Sequence, residues 1–302
     1  MALLYFEDDL SNRITHLSKA NYYQRKPLKR LRLLAWCYLY RGTINAYLNH
    51  LEQLNLLWLI DSHPLYIEKP LKPYGCLTWS KQQRLTYLED HFSFVHNKLG
   101  NKLHQVYSEQ GLVLFDVQDR KEQNYSVKLY QGEEREGSMG LILTNTLNQT
   151  IYSLSFTIYG NDKPCLHIGN VQGANDSVEN RSKVIVELTR TCFGLRPKAL
   201  ILEVLLMLAR HWGVEQVTGV SNKGHIYQAM RYTGSKKQSC RFNYDQFWQE
   251  YEGTLLNKHL YQIPTSPKRK CLDDLSTSKR SMYKKRYQWL EQMEIELSTL
   301  TK

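Results

Sequence analysis

His167 lies between Leu166 and Ile168 in a strand-like run. An imidazole there is either a general base or a core histidine satisfied by its neighbours. Glu203 interrupts the apolar run 199–209. A buried carboxylate is costly unless it pairs, so Glu203 meets an Arg or acts as a tuned acid or base. Asn170 and Gln172 share one face of a strand, where their amides can bind a peptide-like arm or satisfy nearby backbone. Asn222, His225 and Tyr227 follow the strand-like run 214–220, either as polar ligand-facing groups or as a helix cap with packing. In YDQFWQEYEG (244–253), Trp248 reads as a core anchor, and Asp245 and Glu250 as surface acids. There is no Ser-His-Asp spacing, nucleophile elbow, P-loop or G-x-G-x-x-G. Cys37, Cys76, Cys165, Cys192, Cys240 and Cys271 show no C-x-x-C and no histidine at metal spacing. They read as reduced, buried or incidental thiols, and no metal site is assigned.

Stepping outward, residues 1–108 are expected to be mostly helical, with amphipathic stretches at 18–32, 31–51 and 80–103. HPLYIEKPLKPYG (63–75) reads as a loop because of its three prolines and glycine. From about 110 the period shortens. GLVLFDVQ, NYSVKLYQG, SMGLILTNT, TIYSLSFTIYG and PCLHIGNVQG are five short β-type runs, which predicts an antiparallel meander. A helix over 178–191, capped by Asp176 or Ser177, should end at Gly194. A second, nearly all-apolar helix over 198–212 should carry Pro197 in its first turn and be buried. A strand at 214–220 and a loop entering a helix come next. Residues from 277 onward read as a charged amphipathic helix or tail. The chain is thus expected to be α+β: an N-terminal helical region (1–108), a core (109–265) and a basic C-terminal helix or tail (266–302).

The 302 residues carry 40 Lys and Arg against 29 Asp and Glu, a formal charge of +11. The 21 Tyr and 6 Trp far outnumber the 8 Phe, so most aromatic rings bring a polar handle. This composition excludes wholesale disorder and fibrous classes. Glu7, Asp8 and Asp9 stand where a secretory signal needs cations and an apolar stretch. The longest apolar runs fall well short of a roughly 20-residue membrane span. The reading is a cytoplasmic chain, peripheral at the inner membrane if it meets a membrane at all. Basic clusters at 25–32 and 268–286 suit an anionic membrane surface or an acidic carrier protein. No sequence-specific nucleic-acid module accompanies them.

HIGNVQG (167–173), TRTCFGLRPKAL (189–200), GVSNKGHIY (219–227), YDQFWQEYEG and the closing Ile263-Pro264 fall in one order and spacing. With the upstream strands, they make residues 110–265 resemble the VirK/YbjX family of Gram-negative bacteria, with the basic segment GSKKQSCR (234–241) and Tyr251 as departures. That resemblance implies a link to virulence, antimicrobial-peptide resistance and envelope stress. The strand–helix–strand order is also similar to the core of GCN5-related acyltransferases. In that comparison Asn170 and Gln172 would hold an acyl-pantetheine arm. Arg196 and Lys198 would sit at a pyrophosphate-binding helix N-terminus, as free N–H groups favour. Asn222 and His225 would flank the cleft, and Tyr227 would be the acid. The implied cofactor is coenzyme A or an acyl-carrier-protein thioester, and the acceptor an envelope component. The glycine-rich loop Q/R-x-x-G-x-G/A is absent, and Pro197 removes one N–H donor. The alternative function is a non-catalytic factor docking through the basic flanks.

Overall fold

The computed structural model describes residues 12, 14, 21–119, 122–174, 177–229 and 242–300. Glu7, Asp8, Asp9, Asp176, Cys240 and the segment 234–241 lie outside the described residues. The chain is a mixed α+β protein built on one sheet of eight strands. The N-terminal part runs α1 (Asn21–Gln24), α2 (Pro27–Leu39), α3 (Arg41–Gln53) and α4 (Trp58–Ser62), followed by a 3-10 stretch, Pro64–Leu71. Pro27 begins a new helix where the expected 18–32 helix would have continued, because proline suits a first turn and breaks an interior. The proline-rich 63–75 segment is not an open loop. Tyr66, Ile67, Glu68, Lys69 and Pro70 are buried in its 3-10 stretch.

Helix α5 (Lys81–Leu99) opens with a capping box between Ser80 and Gln83, which satisfies two of the free donors at its start. After α6 (Lys102–Val106) come β1 (Leu112–Gln118), β2 (Asn124–Gln131), β3 (Met139–Asn145), β4 (Thr150–Tyr159) and β5 (Cys165–Gly173). These five pair antiparallel in sequence order, as their alternation and turn residues predict.

The sheet then departs from a plain meander. α7 (Arg181–Thr191) and α8 (Pro197–His211) form a crossover, and β6 (Gln216–Val220) joins β5 in parallel. α7 begins at Arg181 rather than 178, after Asn180 in a left-handed conformation. Among the described residues after β6 there is a 3-10 turn, Ile226–Gln228, and the expected helix beyond residue 229 lies outside the described residues. A short α9 (Tyr244–Gln249) precedes a hairpin of β7 (Thr254–Asn257) and β8 (Leu260–Ile263) that the sequence reading missed. β8 pairs antiparallel with β6, giving the order β1-β2-β3-β4-β5-β6-β8-β7. The C-terminal segment is a helix, α10 (Thr277–Leu300).

α8 is apolar on nearly every face, so it can only sit in the interior, and Leu200 to Ala209 are all buried. α5 and α8 both pack on β4. Leu154 to Ile158 are consecutively buried, so both faces of β4 are covered. Thr157 and Ser155, two residues apart and so on one face, are buried polar members of that run.

Candidate functional site

The site starts from a bulge. Ser155 pairs with Asn170 and Phe156 with Ile168, leaving Gly169 of β5 extra. A Cβ on Gly169 would stand 2.0 Å from the carbonyl oxygen of Glu136. Only glycine lets the loop between β2 and β3 approach the sheet this closely. The same loop is fastened from the other side by tyrosine hydroxyls. Tyr66 and Tyr107 donate to the Ser138 carbonyl at 3.2 and 2.8 Å. The Tyr74 hydroxyl lies 2.5 Å from both Ser138 Oγ and Thr157 Oγ1. Lys69 Nζ donates to the Gly137 carbonyl at 2.8 Å and lies 3.9 Å from the Tyr66 ring centroid. Burial pushes the Lys69 ammonium down to about 7, against the pull of Glu134 and Glu133. Three tyrosine hydroxyls, those of Tyr66, Tyr74 and Tyr107, are spent on holding this loop.

That loop delivers Glu136 into a buried network. Asn170 Nδ2 donates to Glu136 Oε2 at 3.1 Å, and His225 Nε2 lies 3.0 Å from Glu136 Oε1. Tyr244 donates its hydroxyl to Asn170 Oδ1 at 3.1 Å and stacks its ring on His225, centroids 5.2 Å apart. His225 Nδ1 accepts from the Tyr227 amide at 3.4 Å. With Nδ1 accepting, the imidazole proton belongs on Nε2, facing the carboxylate. β5 and β6 pair only as far as Ile168 and Gly219. Beyond that point Tyr244, His225 and Trp248 lie in the space between them, with Trp248 Nε1 donating to the Val220 carbonyl at 2.8 Å. Asn222 accepts from the Tyr244 amide at 2.8 Å and donates its own amide to Asp245 at 2.9 Å.

Two neighbouring cavities open beside the network. One of about 230 Å³ is polar, with Lys29, Arg32, Lys72, Arg135, Glu136 and Tyr227 on its walls. The other, about 430 Å³, runs over the ends of β2, β4 and β5 past His63, Tyr130, Ser153 and Gln172. Tyr22, Glu133 and Glu134 wall both, so the two adjoin. Burial, followed by the neighbouring Glu136 charge, pushes the Glu133 carboxyl up. Burial pushes His63 down. The arrangement places one carboxylate fixed by an imidazole and an amide (Glu136) and a second with a raised pKa (Glu133) on one polar wall. Such a pair can accept and donate protons to a bound substrate. Glu68, buried at the base of the neighbouring turn, ion-pairs with Lys72 and accepts from Tyr23 at 2.8 Å.

Asn170, Gln172, His225 and Tyr227, singled out from the sequence, therefore gather around one site. Asn222 braces Tyr244 beside it, and the others lie elsewhere. His167 is buried, 3.1 Å from Thr218 Oγ1 and against the Trp79 ring. Burial pushes it down to about 4. Glu203 receives a two-pronged grip from Arg269 at 2.8 and 3.0 Å, the Arg pairing that its place in an apolar helix demanded. Arg196 and Lys198 both converge on Glu250, at 2.9 and 3.3 Å. At that helix start Ala199 N–H already donates to the Arg196 carbonyl. Glu133, Glu136 and Tyr244 were not picked out from the sequence. The one signal of the two acids was the run Glu133-Glu134-Arg135-Glu136 between two strands, which looks like any solvated turn, and Tyr244 is the first residue of the YDQFWQEYEG motif. Among the described residues, no group of three or more His, Cys, Asp or Glu side chains could hold a metal ion. Among them, too, no helix is long and apolar enough to cross a membrane.

The model of the protein family of unknown function DUF535 matches residues 23–299. The chain belongs to this family. An uncharacterized protein of Haemophilus influenzae is 31% identical over 223 residues, covering 74% of this chain and 72% of its own. The uncharacterized protein YbjX of Escherichia coli is 26% identical over 257 residues, 84% of this chain and 76% of its own. A protein of Mannheimia haemolytica named membrane protein LapB is 26% identical over 198 residues, 64% of this chain and 82% of its own.

Proposed function

We propose that the chain is an acyltransferase that takes its acyl group from coenzyme A or an acyl-carrier-protein thioester and passes it to a component of the bacterial envelope. The observation that carries this reading is Glu136. Its carboxylate is held by His225 and Asn170 on the wall of the polar cavity that adjoins the longer cleft. In the transfer, a nucleophilic hydroxyl or amine of the acceptor adds to the thioester carbonyl while Glu136 takes its proton. The thiolate then leaves and collects a proton from Glu133 or Tyr227. Gln172, Gln131 and Ser153 in the longer cleft offer hydrogen-bonding edges suited to the amides of a pantetheine arm. The strand–crossover–strand order of β5 and β6 adds the resemblance to GCN5-related acyltransferases. The link of the VirK/YbjX family to peptide resistance and envelope stress, and the name membrane protein LapB of the Mannheimia relative, suit an envelope acceptor. A thioester donor of this kind places the reaction on the cytoplasmic side of the inner membrane.

A thermal-shift screen with coenzyme A, acetyl-CoA, a long-chain acyl-CoA and acyl-carrier protein tests this. A donor at about 100 times its dissociation constant adds roughly 2.7 kcal/mol, a rise of a few degrees for a chain of this size. The rise should shrink in Gln172→Ala. A chain that no donor stabilises would sink the reading.

A further inference from the structure

Helix α2 carries an apolar stripe that is left exposed among the described residues. Leu33 and Cys37 face the core. On the opposite side Leu28 is 82% exposed, Leu31 66%, Tyr38 78% and Leu39 67%, with Leu34 at the margin. At 3.6 residues per turn these side chains share one face, with Arg30 along one border and Arg32 along the other. The charge around them is of one sign. From residue 10 to residue 51 the sequence has no Asp or Glu, while Arg13, Lys19, Arg25, Lys26, Lys29, Arg30, Arg32 and Arg41 are all basic. The same helix supplies Lys29 and Arg32 to the wall of the polar cavity.

We propose that α2 docks on an anionic lipid surface, with Leu28, Leu31, Tyr38 and Leu39 entering the interface and the flanking cations meeting lipid phosphates. A protruding helix face with large apolar residues in the middle and cations on both borders matches the layering of such a surface. Tyr38 is of the type that settles at headgroup level. Docked in this way, the helix brings the wall formed by Lys29 and Arg32 to the membrane, so that the cavity receives an acceptor from the lipid layer. The docking itself stands apart from the acyl-transfer reading, since it uses neither Glu136 nor a donor.

The test is sedimentation of the full chain with phosphatidylcholine vesicles, with and without phosphatidylglycerol. The chain should pellet with the anionic vesicles only, and less so as salt screens the attraction. Leu28→Glu with Leu31→Glu should weaken binding at least roughly tenfold by removing buried apolar area, with an unchanged melting temperature because both positions are exposed. Arg25→Gln with Arg30→Gln should weaken it roughly tenfold or more, at about 1 kcal/mol per cation near an anionic surface. Glu136→Gln should pellet like the wild type, which separates this result from that of the donor screen. Failure of the wild type to bind anionic vesicles, or binding that ignores Leu28→Glu with Leu31→Glu, overturns the proposal. So does a chain that ignores vesicles yet binds an acidic carrier protein or pairs with itself through these leucines.

Discussion

His225 Nε2 lies 3.0 Å from Glu136 Oε1, and both side chains are buried. The backbone amide of Tyr227 on Nδ1 leaves Nε2 as the proton-bearing atom, so the imidazole serves to fix the carboxylate. Glu136→Gln keeps the shape and removes the proton acceptor. Transfer of a labelled acyl group should fall about 10²- to 10⁴-fold, the usual worth of a positioned base. Donor binding in the thermal-shift assay should survive. Loss of both together would assign Glu136 to binding rather than proton transfer.

Gly169→Ala tests the close approach that delivers the site. The added methyl meets the Glu136 carbonyl oxygen, a backbone atom that no rotamer change can move aside. Destabilisation of about 1–3 kcal/mol or more is expected, read as a lower denaturation midpoint. Acyl transfer should fall with it as Glu136 is displaced.

Arg269→Ala should cost more than the removal of both partners. The single change strands Glu203 inside an apolar helix, and a broken buried pair costs about 3–5 kcal/mol. Because Arg269 is partly exposed, about 2–3 kcal/mol is the discounted expectation. Glu203→Leu combined with Arg269→Met should recover most of that loss in urea melts.

Acid should loosen the fold through its buried histidines. Burial pushes His167 down to about 4 and His91 down to about 3 from an ordinary value of 6.5. The unfolded chain therefore takes up these protons first. The stability is fully present above about pH 6.5 and is lost as pH falls toward 4. For His167 alone the drop is about 3 kcal/mol. His167→Asn should melt less steeply with falling pH than the wild type over that window, and an identical slope would contradict the assignment.

Much of the sheet was legible because β1 to β5 alternate in a pattern that local turns punctuate. Asn148, in the turn between β3 and β4, has a positive φ, and the side chain of Asn145 accepts from the amides of Leu147 and Gln149 there. α8 was legible because an apolar helix has only one place to go. The β7–β8 hairpin was not, since all four β7 residues are exposed and its apolar Leu255 and Leu256 do not alternate. Of the site, the strand residues Asn170 and Gln172 showed through their spacing. Glu136 did not, because nothing local distinguishes it from Glu134. It is the Gly169 bulge and the four hydroxyl and ammonium anchors on residues 137 and 138 that bury one acid of that turn.

The parallel seam between β5 and β6 has a consequence for the order of assembly. The five antiparallel strands pair across short turns, so their contacts form early and locally, whereas β6 must wait until residues 174–215 have been looped back over the sheet. Glu136 and Asn170 belong to the early part, and His225 and Tyr244 to the late one. A molecule with its meander complete and β6 still undocked is well folded over most of its sheet yet has a carboxylate without its imidazole. The site comes into being with the last seam, which makes competence for chemistry a report on completed folding.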